Sequence, residues 1–119
     1  MNDLRDRYLA CWNATDAEVR ADLVARTWSS TATYVDPLVE AAGHEQLVAT
    51  IAAVQQQFPR WVFTPHGDVD AHHGVARFGW ALGPEGQEPP VIGFDVVTTD
   101  ADGRIASVVG FLDRVPALS

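Results

Sequence analysis

The chain has 119 residues, 47% of them hydrophobic and 20% charged, a composition typical of a globular protein with one hydrophobic core. Its 16 acidic and 8 basic residues give a formal net charge of −8, which would repel nucleic acid and anionic membrane surfaces. We therefore expect neither of these as a partner, and we predict a single domain over residues 1–119.

Two short helices are predicted at the start of the chain. The first has an apolar stripe with helical spacing, formed by Leu4, Tyr8, Cys11 and Trp12. Thr15 and Glu18 form a capping-box pattern that predicts the start of the second helix. The buried stripe of this second helix is predicted to contain Val19, Leu23, Thr27 and Trp28. Cys11 has no partner for an internal disulfide, so we interpret it as a small buried hydrophobic residue.

A short strand and a third helix are predicted next. β-Branched and aromatic residues at positions 31–36 predict the strand, and Pro37 ends it. Gly43 precedes a third helical pattern, which Phe58-Pro59 closes. The apolar stripe of this helix is predicted to contain Leu47, Ile51, Val54 and Phe58.

The second half of the chain alternates strand-like runs with turns that contain glycine. The runs cover residues 61–71, 75–82, 91–99 and 104–115. Connections of hairpin length predict an antiparallel meander, and the preceding helices can cover only one of its faces. The sequence therefore predicts an α+β fold, with three N-terminal helices packed on a curved antiparallel sheet.

Three side chains are candidates for chemistry, and each has a structural alternative. Asp95 interrupts the apolar run 91–97: it lies either on a solvated strand face or in a dry pocket, where desolvation would raise its pKa and keep it protonated. Asp36 either caps a turn or, if the strand end opens onto the pocket, could take a proton from carbon. Tyr8 is either a core aromatic residue or a phenol directed into the cavity.

These residues also belong to a longer pattern that spans nearly the whole chain. Its segments are Arg7-Tyr8, Thr33-Tyr34-Val35-Asp36-Pro37, Gly43-His44-Glu45-Gln46-Leu47, Asp95-Val96 and Asp102-Gly103-Arg104-Ile105. In this pattern the chain resembles the ketosteroid isomerases and the SnoaL-type polyketide cyclases of the nuclear transport factor two-like superfamily. The resemblance implies a cone-shaped barrel in which the helices and the sheet surround one pocket.

The resemblance also implies an activity and roles for the candidate residues. Tyr8 and Asp95 would form an oxyanion hole for a developing enolate, and Asp36 would be the base that moves the proton. The implied protein is a cofactor-independent isomerase or cyclase that acts next to a carbonyl of an apolar, ring-containing small molecule. The tyrosines that support the oxyanion hole in the isomerases are replaced here by Trp28 and Ile51. A non-catalytic binding or accessory domain is therefore an alternative.

A second alternative is an epoxide hydrolase or a dehydratase-like enzyme, because the superfamily hosts several chemistries on one fold. Epoxide opening would need an arginine that bridges the carboxylates through a water, and Arg77 is the only arginine at the centre of a predicted strand. The candidates for the pocket lining, which could equally belong to the core, are Trp12, Trp28, Phe63, Phe78, Trp80, Val108 and Phe111.

A possible metal site was considered on the first long strand. The side chains of His66, Asp68, Asp70 and His72 alternate, so a regular strand would direct all four to one face, where they could bind a divalent metal. The same alternation is typical of a solvent-exposed strand in an acidic protein. We therefore predict no metal site and no cofactor.

The remaining expectations concern location and partners. Residues Met1 to Arg7 are charged rather than signal-like, and the apolar runs are far shorter than the ~20 residues that span a bilayer. We expect a cytoplasmic protein with an apolar small-molecule ligand. A sheet face left open by the helices usually finds a partner, which predicts a homodimer through the strands.

Overall fold

The computed structural model describes residues 2–115, which form three helices and six strands. In chain order these are α1 (Asn2–Asn13), α2 (Ala17–Thr27), β1 (Trp28–Val35), β2 (Glu40–Ala42), α3 (Gly43–Gln57), β3 (Trp61–His72), β4 (Val75–Pro84), β5 (Val91–Thr99) and β6 (Ile105–Arg114). The predicted elements are all present. The additional strand, β2, has three residues, which is too short for a periodic sequence pattern to show.

The six strands form one curved sheet in the order β2-β1-β6-β5-β4-β3. The sheet is open at β2 and β3, so it does not close into the cone-shaped barrel that the resemblance implied. The strands β3 to β6 form the predicted antiparallel meander. The sheet as a whole is mixed, because β1 runs parallel to β6 while it pairs antiparallel with β2. The predicted α+β fold, with three helices packed on a curved sheet, is thus confirmed. Local patterns cannot reveal a parallel pairing between strands that are so far apart in the chain.

The first helix buries the predicted residues, and the second differs from the prediction in its N-cap and at Val19. Leu4, Tyr8, Cys11 and Trp12 of α1 are all buried. The N-cap of α2 is Asp16 rather than Thr15, because the Asp16 carboxylate accepts hydrogen bonds from the backbone N–H groups of Glu18 and Val19.

The predicted buried stripe of α2 is wrong at its first position. Val19 is 51% exposed, whereas Arg20 and Val24 are buried. Thr27 is buried as predicted, and Leu23 is partly buried against the core. Trp28 is also buried, but it begins β1 instead of continuing the helix.

Arg20 has a structural role that explains its burial. Its guanidinium donates hydrogen bonds to the carbonyl oxygens of Ala14 and Thr15 and to Oε1 of Gln55 on α3. The Gln55 amide in turn donates to the carbonyl oxygens of Trp12 and Ala14. These bonds satisfy the carbonyl groups at the C-terminal end of α1 and fix that end against α3.

The third helix packs as predicted at Leu47 and Ile51, which are fully buried, while Val54 and Phe58 are half-buried. Nearby, the long strand β3 is bent where its register against β4 shifts between His66 and Asp70. Gly67 has a φ of 72° at this bend, and its carbonyl oxygen accepts a hydrogen bond from Arg5 of α1 at 2.9 Å. None of the described helices has both the length and the apolarity needed to cross a membrane.

Candidate functional site

A cavity of about 510 Å³ lies between the helices and the sheet, and its size is that of a typical small-molecule site. Four ionisable side chains reach it, from Tyr8, Tyr34, Asp36 and Asp95. The rest of the lining is largely apolar and comes from Trp12, Leu38, Val54, Gln57, Phe58, Phe63, Trp80, Leu82, Val91, Gly110, Phe111, Leu112 and Val115. Such a wall excludes water from a ligand except at the polar groups.

The structure separates the candidates for the pocket lining into two groups. Trp12, Phe63, Trp80 and Phe111 line the cavity. Trp28, Phe78 and Val108 belong to the core instead and are at most 2% exposed. Phe78 and Trp80 project from the same face of β4, but only Trp80 lines the cavity. Position along the strand therefore decides which of them reaches the cavity, and sequence parity does not encode it.

Asp95 lies on the buried face of β5 and is 1% exposed. Its Oδ2 atom is buried and has no hydrogen-bond partner among the described residues. Burial raises the pKa of Asp95 from 3.8 to about 6, the negative charge of Asp36 adds to this, and the side chains of Tyr8 and Trp80 oppose it. Of the two alternatives for Asp95, the structure places it in the dry pocket rather than on a solvated face.

Tyr8 extends from α1 into the same cavity and is 2% exposed. Its ring is held by aromatic neighbours, with centroid distances of 5.4 Å to Phe78 and 5.7 Å to Trp28. Burial and the nearby carboxyl group of Asp95 raise the pKa of the Tyr8 phenol well above its usual value. The hydroxyl group therefore stays protonated and can donate a hydrogen bond into the cavity.

Asp36 follows the last residue of β1 and both caps a turn and lines the cavity, so the two alternatives for it are compatible. Its Oδ1 atom accepts hydrogen bonds from the backbone N–H groups of Leu38 at 2.8 Å and Val39 at 2.9 Å. Its Oδ2 atom accepts a hydrogen bond from the Tyr34 hydroxyl group at 2.6 Å. Tyr34 was not among the predicted site residues, although its position two residues before Asp36 places both on one strand face.

Gly110 on β6 lies between the two carboxyl groups. A Cβ atom at this position would be 2.7 Å from Oδ1 of Asp95 and 3.4 Å from Cβ of Asp36. A side chain here would displace one carboxyl group or the other, so the absence of a side chain lets them approach each other. The structure thus brings Tyr8, Asp36 and Asp95 to one cavity, and their catalytic roles remain predictions.

The four alternating side chains of β3 do not converge. His66, Asp68, Asp70 and His72 are all exposed, and Asp70 forms an ion pair with Arg77 at 3.4 Å. Residues 2–115 contain no group of three or more side chains placed to bind a metal ion. Arg77 is also exposed, and no arginine is among the described residues that line the cavity.

The buried acid makes a specific prediction about stability. A pKa raised from 3.8 to about 6 means that folding favours the protonated form of Asp95, and the ionised form costs about 3 kcal/mol. This contribution is fully present below about pH 4 and is lost as the pH rises through about 6. The substitution Asp95→Asn introduces an uncharged side chain. It should therefore increase the free energy of unfolding by up to about 3 kcal/mol at about pH 8 and leave it nearly unchanged at about pH 4.

Urea denaturation of Asp95→Asn and of the unmodified protein at both pH values measures this difference. The exposed Asp68→Asn substitution, on the same sheet, is the matched control and should change the free energy of unfolding at neither pH. If the difference in the free energy of unfolding between Asp95→Asn and the unmodified protein is the same at both pH values, Asp95 is not a desolvated acid.

The family model for the SnoaL-like domain matches residues 6–108 of this chain. No curated protein sequence matches it. Among solved structures, a candidate isomerase of the SnoaL-like family from Agrobacterium tumefaciens is 39% identical, with a TM-score of 0.90, and the match covers 94% of this chain and 96% of that one.

Two more distant structures share the fold. A candidate polyketide cyclase from Sinorhizobium meliloti is 17% identical, with a TM-score of 0.72 and coverage of 92% of this chain and 94% of that one. A SnoaL-like protein of unknown function from Burkholderia thailandensis is 13% identical, with a TM-score of 0.73 and coverage of 93% and 92%. At these identities the likeness concerns the fold alone.

Proposed function

Since this chain belongs to the family of SnoaL-like domains, we propose that it is a cofactor-independent isomerase or cyclase. It moves a proton next to the carbonyl group of an apolar, ring-containing small molecule. The observation that carries this proposal is the meeting of two unlike carboxyl groups in one apolar cavity. Asp95 is desolvated and has a raised pKa, whereas Asp36 is half-buried and accepts three hydrogen bonds.

These environments suit the two halves of an enolisation. The carboxylate of Asp36 takes a proton from the carbon next to the carbonyl, and the electron pair of the C–H bond moves toward the carbonyl oxygen. Tyr8 and protonated Asp95 donate hydrogen bonds to the negative charge that develops on this oxygen. Asp36 then returns the proton to the same or to another carbon atom. The surrounding aromatic wall strengthens these interactions because it excludes water.

The size and polarity of the cavity define the substrate class. A volume of about 510 Å³ accommodates a ring-containing molecule, and the ionisable groups are few compared with the apolar residues that line the cavity. We therefore expect a ligand with one carbonyl group near Tyr8 and Asp95 and an otherwise apolar surface. The name of the solved relative, a candidate isomerase, is consistent with this class of reaction.

Hydrogen exchange into a simple ketone tests the proposal directly. Incubation with α-tetralone in deuterium oxide should introduce deuterium at the carbon next to its carbonyl group faster than buffer alone does. A panel of cyclic enones and polyketide-like ketones extends the same measurement to isomerisation and cyclisation. Saturable binding of these ketones without any exchange would instead identify a non-catalytic binding domain.

We also expect the protein to form a homodimer through the outer face of the sheet. The cross-strand pair Val96–Val109 lies there, and Val109 is 41% exposed. A chain with a net charge of −8 associates most readily through an apolar patch, and this valine pair forms one. Val109→Glu should therefore give monomers in sedimentation velocity, while Val19→Glu, at an exposed position on α2, should leave the dimer intact.

A further inference from the structure

The hydroxyl group of Tyr34 forms the shortest hydrogen bond to the carboxylate that the proposed function requires as a base. Tyr34 is 5% exposed and donates to Oδ2 of Asp36 at 2.6 Å. Both residues project from the same face at the end of β1, and both line the cavity. A bond this short to an ionised group is of the stronger, charge-assisted kind.

The hydrogen bonds to Asp36 leave one position for an incoming proton. A carboxylate oxygen can accept two hydrogen bonds, and Oδ1 already accepts two, from the backbone N–H groups of Leu38 and Val39. Oδ2 accepts one, from Tyr34, and therefore keeps one lone pair. A proton from a ligand in the cavity can reach Asp36 only at this atom, beside the Tyr34 hydroxyl group.

The other groups around Tyr34 and Asp36 have different roles in the proposed mechanism. Tyr8 from α1 and Asp95 from β5 are the other titratable groups at the cavity, while α3 and β6 contribute no charged side chain to its described lining. Burial raises the pKa of Tyr34 far above its usual value, and the hydrogen bond to Asp36 adds to this. The phenol therefore remains a donor at every pH at which the protein is folded, and it does not itself exchange protons with a ligand.

We propose that Tyr34 is a positioning residue that holds the carboxyl group of Asp36 in place, with the free lone pair of Oδ2 directed into the cavity. This inference rests on the proposed function. In the forward step the C–H bond of the ketone breaks, its proton binds to Oδ2, and its electron pair forms the carbon–carbon double bond of the enolate. In the return step the bond between Oδ2 and the proton breaks and the proton binds to carbon, so no oxidant or reductant is consumed.

A variant without the hydroxyl group tests this role. Tyr34→Phe removes the hydrogen bond that fixes Oδ2 of Asp36, so the carbon NMR signal of the Asp36 carboxyl group should move at a fixed pH. This measurement needs no turnover, and the signal that disappears in Asp36→Asn identifies it. Thr33→Val removes the neighbouring hydroxyl group, which lies on the opposite, exposed face of β1, and should leave the signal unchanged.

The same variants are then compared in the α-tetralone exchange assay. In Tyr34→Phe kcat should fall about tenfold while KM changes little, because the base is present but no longer held in place. A folded Tyr34→Phe protein in which neither kcat nor the NMR signal changes overturns the positioning role of Tyr34. If the NMR signal moves while neither the unmodified protein nor any variant exchanges α-tetralone, the proposed function fails and the hydrogen bond is only structural.

Discussion

Asp36→Asn is expected to slow the exchange of deuterium into α-tetralone by at least ~10²-fold, the usual contribution of a positioned general base. The amide keeps the shape of the carboxylate, and its oxygen can still accept hydrogen bonds from the backbone N–H groups of Leu38 and Val39. The loss should therefore appear in the rate of exchange, with little change in the thermal midpoint. Initial rates followed by mass spectrometry, together with thermal denaturation, measure both.

The chain offers a close control for this experiment. Oδ1 of Asp100 caps an exposed turn through the backbone N–H groups of Asp102 and Arg104, at 2.9 and 3.0 Å, and Asp100 does not line the cavity. Asp100→Asn therefore also replaces a turn-capping carboxylate with an amide, and exchange should stay at the rate of the unmodified protein. A rate that is equal in Asp36→Asn and Asp100→Asn would remove Asp36 from the mechanism.

The second large effect concerns Asp95 and the dependence of exchange on pH. Loss of one oxyanion donor lowers a rate by ~10²–10³-fold, and this is the expected result for Asp95→Ala. Because the pKa of Asp95 is raised to about 6, its proton is present below that pH and is lost above it. In the unmodified protein, kcat/KM for exchange should therefore fall as the pH rises through about 6.

Two substitutions test whether the ionisation of Asp95 causes this fall in kcat/KM. Asp95→Asn retains a donor at every pH, so the fall in kcat/KM above about pH 6 should disappear. Tyr8→Phe should be slower by a similar factor, ~10²–10³, but should keep the fall, since the Tyr8 phenol does not ionise in that range. Persistence of the same fall in Asp95→Asn would assign it to another group.

The sequence predicted the helices well where a stripe of apolar residues is long. In α1 the predicted stripe is the buried one, and in α3 Leu47 and Ile51 are buried as expected. In α2 the predicted N-cap and one position of the stripe were wrong, because both Thr15 and Asp16 are acceptable N-cap residues. Val19 is exposed, while Thr27 and Trp28 are buried as predicted.

The sequence predicted some residues of the candidate site and missed others, for geometric reasons. Tyr8, Asp36 and Asp95 reach one cavity, but each was a weak signal until it was compared with a known pattern. Tyr34 was overlooked because its i, i+2 relation to Asp36 is also what any strand shows. Gly110 could not be identified from the sequence, because its importance comes from the side chains of Asp95 on β5 and of Asp36, which follows β1.

The sequence by itself determined the three helices and the five longer strands, because hydrophobic periodicity, caps and turn residues act over a few positions. The tertiary structure decided the parallel pairing of β1 with β6, the bend of β3 at Gly67, and the division of the aromatic residues between core and cavity. It also decided the environment of Asp95, whose pKa depends on desolvation by residues from several elements. Such properties arise from distances between segments remote in the chain, and no local pattern of residues encodes them.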